Sequence, residues 1–195
     1  MARASMNDPM KRNIKGSAKG ANTSFAGATF NIFHRHATRV KMANIAQLVN
    51  VLQALILTEG DKMVLTPTYH VFDMYQVHQD ATFLPVEVTT DDSTLGSEAL
   101  PAVSASASRD AQGLVHLSLV NLDPKVAATV EARIEGPALR SVSGRVLTAP
   151  AMDAHNTFAA PDRVQPTAFN GATLQGQVLK AQLPPRSVVV LALGS

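Results

Sequence analysis

Apolar and polar residues alternate with a period of two over much of residues 85–195, and this constrains the fold more than any other feature of the chain. Val103, Ala105 and Ala107 interleave with Ser104, Ser106 and Ser108. Turn residues follow at 110–113, and Val115, Leu117 and Leu119 then interleave with His116 and Ser118. Such a pair reads as a β-hairpin with one buried face, and it leaves His116 on the outward face without an evident partner. Val130, Ala132 and Ile134 alternate with Glu131, Arg133 and Glu135 before Gly136-Pro137 stops the pattern. Residues 141–147, 179–183 and 187–193 supply three further candidate strands, the last two separated by Pro184-Pro185. Six short strands with turn signals between them predict an antiparallel β-sandwich. Residues 149–166 interrupt it as a long loop, of a length usually reserved for function or for packing against a neighbour.

The pattern before residue 85 is different. Residues 1–41 hold eight Lys or Arg and one acid (Asp8), a net of +7, and the remainder holds nine bases and fourteen acids, a net of −5. A basic arm can attract nucleic acid or an anionic surface. The Lys, Asn, Ser and Gly of residues 1–20 show no apolar periodicity and predict a solvated, disordered arm instead. No nucleic-acid or membrane partner is therefore expected. Nothing in the arm resembles the apolar core of a signal peptide, and a cytoplasmic location follows as the expectation. Residues 21–84 are denser in apolar side chains. The stretch Val40 to Gln47 suits either a short buried strand or the start of a helix. Thr66-Pro67 is an N-cap followed by proline at the first helical position, predicting a helix over 67–79. Its Tyr69, Val71, Phe72, Met74 and Tyr75 form a broad apolar stripe suited to a core.

Composition and spacing exclude several chemistries. There is no cysteine and no tryptophan, so thiolate chemistry is absent and aromatic platforms for sugars or bases are scarce. Residues 85–195 contain only Phe158 and Phe169 as aromatics, which disfavours a carbohydrate-binding module. His34 and His36 have a spacing that can chelate a metal from a strand, and His70 and His78 share the predicted helix, but no third ligand stands at a motif spacing, so no metal and no cofactor are expected. His155, two residues after Asp153, suits a loop-ordering hydrogen bond better than acid–base work. Neither a serine-nucleophile elbow nor a phosphate-cradling glycine loop is present. The five glutamates are Glu59, Glu87, Glu98, Glu131 and Glu135. The last two share a strand face about 13 Å apart at ~3.3 Å per residue. A retaining glycosidase needs roughly 5–5.5 Å.

Two long stretches are specific enough to name a family. One runs from Asn31-Ile32-Phe33-His34-Arg35-His36 through Arg39-Val40-Lys41-Met42-Ala43-Asn44-Ile45-Ala46-Gln47 to Met63-Val64-Leu65-Thr66-Pro67-Thr68-Tyr69-His70-Val71-Phe72. The other joins Val120-Asn121-Leu122-Asp123-Pro124 with Gly144-Arg145-Val146-Leu147-Thr148-Ala149-Pro150 and on to Phe158. Together they resemble the C-terminal portion of the α-L-arabinofuranosidases of glycoside hydrolase family 51.

The resemblance implies a mainly β fold: a C-terminal antiparallel β-sandwich over 85–195, preceded over 21–84 by a mostly helical remnant of a (β/α)8 barrel. Val40 to Ala46 would be the last barrel strand and 67–79 part of the last barrel helix. Without neighbouring strands, that remnant is expected to pack on the sandwich as helices or to stay loose. Active-site groups sit at the C-terminal ends of barrel strands, and the family's glutamine at that place contacts the arabinose, which implies a substrate contact for Gln47. The family's two catalytic glutamates, one acid/base and one nucleophile, belong to an Asn-Glu pair and a Glu-Trp pair, neither of which occurs here. The expectation is a C-terminal fragment of an arabinofuranosidase with no catalytic residue of its own. Its parent would act on terminal α-L-arabinofuranosides of arabinose-containing oligosaccharides or polysaccharides, as a homo-oligomer. The family sandwich also borrows strands from the enzyme's N-terminus, which predicts an exposed sheet edge here. A non-catalytic β-sandwich module for structure or oligomerisation is the alternative.

Overall fold

The structure, a computed structural model, describes residues 21–45, 48–51, 53–95, 98–136 and 138–195; Gln47 and the basic arm over 1–20 lie outside the described residues. Helix α1 (Ala21–Arg35) comes first, and the hairpin of β1 (Ile56–Glu59) and β2 (Lys62–Leu65) follows. Helix α2 (Pro67–Tyr75) follows and tightens into a 3-10 turn (Gln76–His78). The remainder is β3 (Thr82–Leu84), β4 (Asp92–Leu95), β5 (Glu98–Pro101), β6 (Val103–Arg109), β7 (Val115–Asn121), β8 (Ala128–Arg133), β9 (Ser141–Leu147), β10 (Thr167–Ala168), β11 (Ala172–Gln175), β12 (Val178–Leu183) and β13 (Ser187–Gly194).

Two antiparallel sheets make the sandwich. One has six strands in the order β10-β9-β13-β7-β6-β3, and the other has three in the order β11-β12-β8. The alternating residues meet as their period requires. Val103, Ala105, Leu117, Leu119, Leu191 and Leu193 of the large sheet pack on Leu179, Ala181 and Leu183 of the small one. Full burial of each such leucine contributes ~1.5–3 kcal/mol. All six strands expected from the alternation form. The short strands β3, β4, β5, β10 and β11 do not alternate long enough to be read from the sequence.

The small sheet ends at β8, whose outer edge carries no pairing strand among the described residues. A cleft of about 720 Å³ opens there, lined by Leu84 to Thr90 on one side and Thr129 to Glu135 on the other, over an apolar floor that includes Ala105 and Leu117. The expected open sheet edge is therefore present.

The other face of the large sheet departs from the expectation. A half-solvated sheet would turn Ser104, Ser106, Ser108, His116 and Ser118 to water. Instead β7 is buried at every position, because α1 and α2 cover that face. Val71, Met74 and Tyr75 of α2 pack on Val120, Leu147 and Val188. Residues 40–45, which the family would place in a barrel strand, are irregular here, in line with the expectation that this stretch stays loose without neighbouring strands. No neighbouring parallel strand receives its backbone groups among the described residues, and a lone strand is not stable in water.

Local chemistry explains the helices. Thr66 caps α2, its hydroxyl oxygen accepting from the Tyr69 N–H at 3.3 Å, with Pro67 at the first helical position. In α1 the inward positions are Gly27, Asn31 and His34, spaced i, i+4, i+7. A Cβ on Gly27 would lie 2.9 Å from Val120 and 3.1 Å from Val188 side-chain carbons, so only glycine lets the helix lie this close to the sheet. Valine at position 27 should therefore overpack this contact and destabilise the chain by about 1–3 kcal/mol, read as a lowered urea midpoint with an unchanged slope.

Candidate functional site

The polar face of the large sheet is a continuous hydrogen-bonded layer. Ser104, Ser106 and Ser108 share it because side chains at i, i+2 and i+4 of a strand point the same way. The Asn31 amide donates to the Ser104 hydroxyl at 3.1 Å, and its carbonyl oxygen accepts from Ser106 at 2.8 Å and lies 2.9 Å from the Tyr75 hydroxyl. Since the Ser106 proton goes to Asn31, His34 Nδ1, 2.9 Å from that serine, is the donor there. His78 lies between Ser108 at 2.7 Å and Ser118 at 2.6 Å, one on each ring nitrogen. His116 corrects the sequence expectation. It is buried, not outward, and its Nε2 donates to Asp110 at 2.8 Å. Its Nδ1 is buried without a partner.

Electrostatics follow from burial. Desolvation lowers the pKa of His34 and pushes that of His78 down to about 3, helped by the nearby rings of His34 and His116. Burial raises the Tyr75 phenol above its ordinary range. The hydrogen bond from His116 holds Asp110 below the usual carboxylate range, with the N–H groups of Leu114 and Gln112 adding to it. These groups resemble the parts of a hydrolase triad, yet Ser106 and Ser118 have no exposed surface and no substrate can reach them. The layer is an interface, not an active site.

The long loop at 149–166 is the second organised region. Asn156 is 1% exposed. Its amide donates to Leu65 O at 2.8 Å and Val164 O at 2.9 Å, and its oxygen accepts from the Val164 N–H at 2.7 Å. Phe158 packs against the cluster of Ala54, Leu57 and Val64, tying the loop to the β1–β2 hairpin. Phe169 is in the sandwich core. The two aromatics of residues 85–195 are thus spent on packing and form no sugar platform. His155 Nδ1 donates to Asp153 O at 2.7 Å, a loop-ordering bond. The residues that carry the resemblance meet here too. Asn121 donates to Val126 O at 2.9 Å and Pro184 O at 3.0 Å, and Arg186 bridges Pro124 O and Ala149 O.

The remaining sequence candidates are scattered. His36 is exposed at the end of α1, and His70 lies on α2, its pKa lowered by burial. Among the described residues no group of three or more His, Cys, Asp or Glu is placed to hold a metal. Glu87, Glu131 and Glu135 line the cleft beside β8, with Glu131 3.3 Å from Lys180. No helix among the described residues is long and apolar enough to cross a membrane.

Comparison with known proteins places this architecture. The family model of the α-L-arabinofuranosidase C-terminal domain matches residues 7–187. An intracellular exo-α-L-arabinofuranosidase of Bacteroides ovatus is 41% identical over 169 residues, covering 86% of this chain and 33% of that protein. The crystal structure of a glycoside hydrolase family 51 arabinofuranosidase from Xanthomonas axonopodis pv. citri superposes with a TM-score of 0.88 at 50% identity, over 90% of this chain and 36% of that one. An arabinose complex of the Thermotoga maritima α-L-arabinofuranosidase shares the fold, with a TM-score of 0.78 at 24% identity, over 97% of this chain and 40% of that one. The chain spans about a third of the length of the Bacteroides ovatus enzyme.

Replacing Asn156 with alanine leaves Leu65 O and both Val164 backbone groups without their buried partner. The expected cost is about 1–3 kcal/mol. Proteolysis should then cut first within 149–166, which a digestion time course read by mass spectrometry would check.

Proposed function

Because the chain belongs to the α-L-arabinofuranosidase C-terminal domain family, matched over residues 7–187, we propose that it acts as the C-terminal portion of a retaining α-L-arabinofuranosidase. The reaction is hydrolysis of terminal non-reducing α-L-arabinofuranosides in arabinose-containing oligosaccharides and polysaccharides, by one glutamate acid/base and one glutamate nucleophile. We assign neither glutamate to this chain, which lacks the Asn-Glu and Glu-Trp pairs that carry them. The chain's own contribution is Gln47 as a hydrogen-bonding contact to the arabinose. We divide it into the basic arm over 1–20, a barrel-derived segment over 21–84 and the sandwich over 85–195. A cytoplasmic, homo-oligomeric enzyme is the accompanying reading; the intracellular naming of the Bacteroides ovatus relative supports its location.

The likeness to the Xanthomonas enzyme, 50% identical with a TM-score of 0.88, carries this reading. Helix α1 supports it. Its Phe25 is 62% exposed and its Ile32 46% exposed, while its inward face is polar. A barrel helix turns such an apolar side to its neighbours. A second reading, a non-catalytic sandwich module, is favoured by the open β8 edge and its apolar cleft, which suit an added strand better than a sugar.

A chimera separates the two. Residues 21–195 replacing the matching part of the Xanthomonas enzyme should restore hydrolysis of an aryl α-L-arabinofuranoside. Gln47→Ala in that chimera should lower kcat/KM by roughly 10–100-fold. A folded chimera without turnover would favour the structural module, and unchanged kinetics in the variant would remove the sugar contact. The 195-residue chain by itself should show no turnover.

A further inference from the structure

The imidazole cluster under the helices has no part in the proposed hydrolysis. His34 belongs to α1, His78 to the 3-10 turn and His116 to β7, so the three rings span the contact between the helical layer and the sheet. Ring centroids are 4.5 Å apart for His34 and His78, and 6.3 Å for His78 and His116. The groups facing them are few. From β6 come the Ser106 and Ser108 hydroxyls, and from β7 the Ser118 hydroxyl. From α2 comes the buried phenol of Tyr75, its ring 5.7 Å from His34 and 5.5 Å from His78. The β6–β7 turn brings one carboxylate, Asp110, and His116 takes it. His34 and His78 face hydroxyls, a phenol and other imidazoles.

We propose that this cluster is an acid-sensitive latch: it holds α1 and the α2 to 3-10 segment on the sheet near neutral pH and releases them as the pH falls, while the sandwich stays folded. A neutral His78 satisfies both neighbours, one nitrogen donating to a serine and the other accepting from one. A second proton makes both nitrogens donors and places a buried positive charge 4.5 Å from the His34 ring without an acid to meet it. Release puts the rings in water. The sandwich core on the opposite face is packed from apolar side chains, and the carboxylates on that side, Glu87, Glu131 and Glu135, line the open cleft and not the histidine cluster.

The sign follows from the two states. Docked His78 has its pKa near 3, and a released histidine has one of about 6.5. Between those values the released form binds more protons, so docking weakens as the pH falls. Above about 6.5 both forms are neutral and docking is pH-independent. From pH 7.5 to 5.0, His78 alone shifts the equilibrium roughly 30-fold towards release. His34, lowered in the same direction, adds to it.

Hydrogen exchange of the full 195-residue chain at pH 7.5 and 5.0, corrected for intrinsic rates, tests this. Protection in Ala21–Arg35 and Pro67–His78 should fall at least tenfold relative to β7 and β13. His78→Gln keeps one accepting and one donating end and should reduce that fall to under threefold. His36→Gln, at an exposed histidine, should leave it intact. Unchanged protection in the two helical segments, or parallel loss in β7 and β13, would overturn the latch. Should the His78 variant not fold, the His78 ring proton shift in the unaltered chain decides: a titration midpoint near 6.5 while the helices stay protected would also overturn it.

Discussion

A sheet buried on both faces must find hydrogen-bond partners for nearly all the polar groups it covers, and that requirement organises this molecule. Strand β6 sends three serines to the same face and β7 adds His116, Ser118 and an apolar Val120. Left dry and unpaired, each polar group would cost about 1–3 kcal/mol. Asn31, His34 and His78 supply most of the partners, and they arrive from two separate elements. The helices therefore cannot slide on the sheet without breaking several bonds at once. Tyr75 closes the layer by bonding to Asn31 and Gly27 of α1 from α2, so each helix is fixed to the other as well as to the strands.

The same logic operates in the loops. Asn121 and Asn156 are buried amides that satisfy backbone groups where no strand can. Arg186 joins the turn after β7 to the start of the long loop. Asn121 and Asn156 both fall within the stretches that carry the family resemblance. The loop in turn holds the β1–β2 hairpin through Leu65 and Phe158. The sandwich thereby reaches the β1–β2 hairpin through its own long loop.

The six alternating strands were legible because β6, β7, β8, β9, β12 and β13 each keep an apolar face of period two or an apolar run. Thr66-Pro67 likewise marked the start of α2 correctly. His116 was misread because alternation tells which residues share a face and not what covers that face. Serine and histidine opposite an apolar face look like a solvated surface, yet they serve equally as a lining for a polar helix. Helix α1 compounds the difficulty. Its buried side is Thr23, Ser24, Gly27 and Asn31, and its exposed side carries Phe25 and Ile32, so hydrophobic patterning points it the wrong way round. Residues 40–45 are irregular, as expected of a segment that would be a barrel strand only with neighbours on both sides.

These two irregularities have one explanation under the proposed reading. The large sheet is capped on one side by helices whose outer face is apolar, and the sandwich core on its other side opens at the β8 edge. Apolar surface exposed at one place is common on folded proteins. A helix presenting the wrong face and a sheet lacking an edge strand are separate violations of the rules that the rest of the chain obeys, and they lie on opposite sides of the same six strands. Loose packing would not produce that combination, because β7 and β13 between them are almost wholly buried. A larger enzyme would produce it, with the barrel's other helices against α1 and a further strand in the cleft. Under that reading the tightly built middle is a foundation and the two open flanks would be its contact surfaces.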